Sequence, residues 1–382
     1  MKPLDSKLPN VGTTIFTLMS QLAEQHRAVN LSQGFPDFRP PPVLLELVDR
    51  CLSERYHQYA LMPGSMPLRT AIAAKLAAMY DVVADPVAEI TVTSGATEAI
   101  FDAIQAVVRR DDEVIVFDPC YDSYEPSITL AGGRAIHLPL TQPDFGVDWE
   151  RLRAALNDRT RLVIVNSPHN PSGALLNRAD FDRLAEALRP YDCYLLSDEV
   201  YEHVVFDGAR HATALAQPEL KERCFAVFSF GKTYHATGWK LGYCVAPPAL
   251  TAELRRVHQY VTFASTSPLQ QALAEYMVQH PEHHVGLPAF YQERRDYFTA
   301  LLANTKFRLR RAAGTYFQLA DYSAISSLPD VEFARWLTIE HGVATIPISV
   351  FYQNPPAMRL VRFCFAKENA TLDAAAERLR RL

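Results

Sequence analysis

A ladder of short, apolar, β-rich runs set between longer amphipathic segments restricts the fold of this chain more than any other feature. The runs read EITVT (89–93), EVIVF (113–117), RAIHLPL (134–140), RLVIV (161–165), CYLLS (193–197), CFAVF (224–228) and LGYCVA (241–246). Between them lie stretches of helical periodicity such as ATEAIFDAIQAVVRR and RADFDRLAEALRP. Strands that alternate with helices predict an α/β fold, with a mostly parallel seven-stranded sheet covered by helices.

Near residue 280 the character of the chain changes. SPLQQALAEYMVQH carries serine at an N-cap position and proline in the first helical turn, and PEHHVGLP then interrupts the periodicity before another long helix. That break predicts a large domain over 46–280 and a small α+β domain over 281–382. The small domain should hold strands near 307–311, 315–320 and 358–365, with helices at DVEFARWLTIEH and TLDAAAERLRRL. Residues 1–45, proline-rich at FRPPP, read as an arm that crosses to the small domain and forms part of it. A chain of 382 residues suits this division.

Composition narrows the function classes. Hydrophobic residues make up 48% and charged residues 21%, and 38 basic against 43 acidic side chains give a net charge of -5. This balance offers no basic surface for nucleic acid or for an anionic membrane. The six cysteines are dispersed, with no C-x-x-C pair and no histidine at metal-ligand spacing, so no metal site is expected. The start, MKPLDSKLPN, has no apolar core of a signal peptide, and no run approaches a membrane span, so the expectation is a cytoplasmic protein.

In an open α/β sheet ligands bind beyond the carboxyl ends of the strands, which makes the residue after each apolar run informative. EITVT leads into SGATEA, where Gly95, Ala96 and Thr97 offer backbone N–H groups at a helix N-terminus suited to a phosphate, or simply make a tight turn. RLVIV leads into NSPHNPSG with Asn166 and Asn170, CYLLS into DEVYEH with Asp198 and Tyr201, and CFAVF into SFGK with Ser229 and Lys232. Each residue alone has a structural explanation as a turn or cap. Together they describe an anion pocket, an amide, a buried acid and a reactive amine. The chain lacks the G-x-G-x-x-G of a nicotinamide site after its first strand and the G-x-x-x-x-G-K-[ST] of a P-loop.

These motifs carry a resemblance. SFGKTYHATGWKLG (229–242) follows the lysine signature of the class I/II aminotransferases of pyridoxal phosphate fold type I. VNLSQGFPDF (29–38), YALMPGSMPLR (59–69), SGATEAI, NSPHNPSG, SDEVY and VRFCFAK (361–367) extend the likeness almost end to end. SQGFPDF, GTYF and VRFCFAK make the chain most similar to the methionine aminotransferase and kynurenine or glutamine transaminase branch.

The resemblance implies a pyridoxal 5'-phosphate cofactor joined to Lys232, whose amine then shuttles the substrate proton. It implies that Asp198 holds the pyridine nitrogen, that Asn170 and Tyr201 bond the phenolic oxygen, and that Tyr121 stacks on the ring. Ser229, Lys240 and the Gly95, Ala96 and Thr97 amides would take the phosphate. Tyr59 would come to the same phosphate from the other subunit of a homodimer. Arg362 would grip the substrate carboxylate as a bidentate fork, assisted by Asn170 and the backbone of Gly34. Phe16 and Phe263 fall where aromatic residues line the family's substrate pocket, or are plain core. Two positions depart from the pattern: Lys240 stands for the usual arginine, and His235 for a small residue, with no role assigned.

The implied activity is a ping-pong transfer of the amino group of methionine, or of another large apolar or aromatic amino acid, to a 2-oxo acid. A carbon–sulfur β-lyase on the same scaffold is the alternative, because small pocket changes redirect the same cofactor. A cofactor-sensing regulator would need a basic winged helix that this chain does not carry before its arm.

Overall fold

The computed structural model describes residues 4–382, so residues 1–3 of the expected arm lie outside the described residues. After a two-residue strand β1 (Val29–Asn30), the seven apolar runs become β2 (Ile90–Thr93), β3 (Glu113–Asp118), β4 (Arg134–Pro139), β5 (Thr160–Asn166), β6 (Tyr194–Asp198), β7 (Cys224–Ser229) and β8 (Gly242–Val245). They form one sheet in the order β2-β8-β7-β6-β5-β3-β4. Every pairing is parallel except the two made by β8, which lies antiparallel between β2 and β7.

The runs are apolar at successive positions because both faces of the sheet are covered. Alternate residues serve opposite cores. Ile115, Val163, Leu195, Ala226 and Phe228 point into one, and Val114, Val116, Leu162, Ile164, Leu196 and Val227 into the other. β4 is the exception, half-exposed at most positions because it closes one edge.

Beyond the break, Ser267–Gln279 and Glu282–Leu302 form consecutive helices on either side of His280 and Pro281. A four-stranded antiparallel sheet follows in the order β12-β13-β10-β9, from β9 (Arg308–Arg310), β10 (Phe317–Asp321), β12 (Ile346–Pro347) and β13 (Leu360–Cys364). The expected helices appear at Asp330–His341 and Asn369–Leu379 and pack with Glu282–Leu302 over a third core built on Phe298, Phe333, Leu337, Phe363 and Leu372. The arm joins this unit. β1 pairs in parallel with β11 (Val343–Ala344), and Leu31 O accepts from Cys364 N at 2.8 Å. Among the described residues no helix is long and apolar enough to cross a membrane.

Candidate active site

The sheet order explains why separated motifs meet. β2, β5, β6 and β7 run parallel, so their carboxyl ends share one edge, and antiparallel β8 begins there. Register sets Asn166 beside Asp198, and Ser229 beside Gly242. A cavity of about 190 Å³ opens at this edge, lined by Gly95, Ala96, Thr97, Tyr121, Asn170, Asp198, Tyr201, Ser229, Lys232 and Lys240 among others.

One corner of it is a helix N-terminus. Gly95 caps the helix Ala96–Val107 at φ +85°, a left-handed backbone that glycine adopts without strain. The first-turn N–H groups of this three-turn helix have no intrahelical acceptors and carry the positive end of its dipole. A Cβ on Gly95 would lie 3.4 Å from the Lys240 ammonium, which places that charge against the turn. Gly242 is needed for the same approach, since a Cβ there would stand 2.7 Å from Ala96 N.

Lys232 follows Ser229 in the short helix Phe230–Thr233. Its amine donates to Gly34 O at 3.1 Å and lies 5.3 and 5.6 Å from the rings of Tyr201 and Tyr316. Enclosure by protein pulls its pKa down from 10.5 to about 8, against the opposing pull of Asp198. The buried Asp198 carboxylate, which lines the same cavity, accepts from Tyr124 Oη at 2.6 Å. Burial raises its pKa to about 6, while the Tyr124 bond holds it down. Tyr201 is buried, and burial raises its phenol above the usual range.

Arg362, in the centre of β13, is fully buried, yet its hydrogen-bond partners are neutral: Asn170 Oδ1 at 2.7 Å and Ser32 O at 3.0 Å. Its guanidinium lies 3.8 Å over Phe317 and 5.3 Å from Phe16, and Nε has no hydrogen-bond partner among the described residues. A buried guanidinium held only by neutral groups is poised for a carboxylate. Tyr316 Oη donates to Gly34 O at 2.6 Å, fixing the carbonyl that also accepts from Lys232.

Two of the named residues sit elsewhere in the single chain. Tyr59 is 84% exposed and packs edge-on against Phe263, itself 42% exposed, with ring centroids 5.6 Å apart. A larger cavity of about 580 Å³ shares Tyr121, Asn166 and Asn170 but reaches neither Lys232 nor Asp198, so it is not where the reactive groups converge.

A model of the aminotransferase class I and II family matches residues 26–379. The chain belongs to the class I and II aminotransferases. It is 53% identical to methionine aminotransferase of Escherichia coli over 99% of this chain and 98% of that protein. The crystal structure of an Escherichia coli protein identified as having a methionine aminotransferase function superposes with a TM-score of 0.97, at 53% identity over 100% of both chains. N-succinyldiaminopimelate aminotransferase from Mycobacterium tuberculosis follows with a TM-score of 0.95 and 38% identity, over 99% of this chain and 100% of that one. Human kynurenine–oxoglutarate transaminase 1 is 32% identical over 94% of each chain. Enzymes of this family depend on pyridoxal phosphate.

Several residues around this candidate site had no separate signal in the sequence. Tyr124 lies three residues after Tyr121 and opens the helix Tyr124–Leu130, a spacing that could have flagged it. Ser32 acts through its carbonyl and Phe317 through its ring face, so only the fold shows their relation to Arg362. His235 packs between Phe38 and Phe290 and pairs with Tyr291 Oη at 3.0 Å. Burial pulls its pKa to about 3, so the ring is neutral and serves packing.

Proposed function

We propose that this aminotransferase uses pyridoxal 5'-phosphate held at the sheet edge to take the amino group from methionine or another large apolar or aromatic amino acid. The observation that carries the reading is one amine, Lys232, enclosed with a buried acid and a helix N-terminus in one cavity, to which the Arg362 guanidinium, held by neutral partners, is joined through Asn170. The donor set fits the cofactor. Asp198 would hold its protonated ring nitrogen, Asn170 and Tyr201 its phenolic oxygen, and Tyr121 its ring face. Ser229, Lys240 and the amides of Gly95, Ala96 and Thr97 would hold its phosphate. When bound, the cofactor supplies an electron sink for the charge left when the substrate α-proton departs.

The side chains do the remainder. Arg362 would bind the substrate carboxylate through its fork, assisted by Asn170 and the backbone of Gly34. Lys232, its pKa drawn down to about 8, is the base that would accept the substrate α-proton and hold it for return. Phe16 and Phe351 flank Arg362 and give the substrate side chain an apolar setting, which favours methionine over acidic donors.

Tyr59, Leu61, Tyr260 and Phe263 form an exposed apolar stretch at 84, 63, 85 and 42% exposure. A second copy would cover it, and we assign it to a homodimer in which Tyr59 and Phe263 reach the partner's site. Six buried free cysteines fit a reducing, cytoplasmic setting. The test is an amino-donor panel against several 2-oxo acids. Stoichiometric exchange of methionine for a new amino acid is expected. Ammonia release without an acceptor would refute transamination in favour of the lyase.

A further inference from the structure

Behind the phosphate turn lies a group that the reaction does not touch. Glu98, Asp102 and His258 are buried where the helices Ala96–Val107 and Pro248–Val261 cross, with one ligand-type atom from each within 4.8 Å of the others. His258 Nδ1 lies 2.9 Å from Glu98 Oε1 and 3.5 Å from Asp102 Oδ2, and Nε2 lies 3.1 Å from Met62 O. A carboxylate and a carbonyl only accept, so both ring nitrogens carry protons and the ring is an imidazolium. With no lone pair left on its ring, His258 bridges as a cation and not as a metal ligand. Donation to Glu98 and the negative charge of Asp102 beside the ring outweigh its burial and raise its pKa to about 9.

The clasp reaches both halves of the cradle. Glu98 Oε2 accepts from Ser94 N, the first residue of the turn Ser94–Thr97, and Ser94 Oγ lies 3.2 Å from Ser265 Oγ. On the other side Met62 belongs to the segment that carries Tyr59, and His258 O accepts from Phe263 N at 3.0 Å, the residue whose ring packs on Tyr59. One charged group thus fixes the turn in its own subunit and the segment that projects Tyr59.

We propose that Glu98, Asp102 and His258 are positioning residues for the cofactor phosphate, setting the grip on phosphate without entering the chemical step. This rests on the reading of Ser94–Thr97 as the phosphate turn. The test titrates cofactor-free wild type, Glu98→Gln and His258→Gln with pyridoxal 5'-phosphate and, separately, with pyridoxal lacking the phosphate. The variants should bind the phosphorylated form ~10-fold or more weaker, the worth of one charge-assisted hydrogen bond. Their affinity for pyridoxal and their kcat at saturating cofactor should stay near wild type. Asp102→Asn keeps shape and removes only the second acid, so it supplies the same comparison at smaller amplitude should the other variants fail to fold. Equal losses for both ligands, or no loss for either, would overturn the proposal. A wild type that binds the two forms alike would instead overturn the reading of the turn. In a double-mutant cycle with Tyr59→Phe, coupled effects are expected, and strict additivity would detach the Tyr59 segment from the clasp.

Discussion

The enclosed amine of Lys232 should destabilise the protein that carries it. Lys232 is enclosed, its hydrogen bond goes to the neutral carbonyl of Gly34, and its pKa falls from 10.5 to about 8. At ~1.4 kcal/mol for each pH unit of displacement, holding the ammonium in the fold at neutral pH costs at most ~3.5 kcal/mol, an upper bound because the amine faces the cavity's water. Lys232→Met keeps the chain length, removes the charge and gives up one hydrogen bond of ~1 kcal/mol. The cofactor-free variant should therefore be ~2 kcal/mol more stable at neutral pH while losing all turnover.

The sign follows from proton counting. The folded pKa lies below the unfolded one, so between about 8 and 10.5 the unfolded chain binds more protons and wild-type stability rises with pH relative to the variant. The variant's advantage should be full below about 8 and disappear above about 10.5. Urea unfolding midpoints of both cofactor-free proteins, at equal protein concentration and at pH values on either side of that window, measure it. A variant no more stable at neutral pH, or a gap that does not change with pH, would refute the reasoning.

Three further outcomes follow from the site. Arg362→Lys removes the planar fork above Phe317, so KM for the amino donor should rise ~10-fold or more with the cofactor absorbance unchanged in steady-state assays. Tyr124→Phe removes the 2.6 Å donor to Asp198, which lets burial push that carboxyl further above about 6. Activity should fall most at acidic pH and recover as pH rises, and a pH-independent loss would refute the link. Lys240→Arg restores a fork beside the Gly95 turn and should tighten pyridoxal 5'-phosphate binding in a direct titration, with little change in kcat.

Much of the site was legible because a rule of topology converts sequence into place. A residue that ends a parallel strand lies at the ligand edge, so Asn166, Asp198 and Ser229 could be placed from the apolar runs before them, and Lys232 from the run CFAVF. Resemblance added Arg362, Tyr121 and Tyr59, whose surroundings carry no such local rule. Strands β1, β11 and β12 escaped notice because two residues make no periodicity.

By itself, then, the chain's pattern determined the α/β sheet, its mostly parallel order and the chemistry gathered at one edge, since burial and strand polarity act through neighbours in sequence. Only the tertiary structure decided which long-range partners tune that chemistry. The Tyr124 bond to Asp198, the Phe317 face under Arg362, the Gly34 carbonyl shared by Lys232 and Tyr316, and the clasp from His258 to Glu98 join residues from 45 (Phe317 and Arg362) to 282 (Gly34 and Tyr316) positions apart. Their geometry comes from packing of whole elements, which no local run of residues encodes.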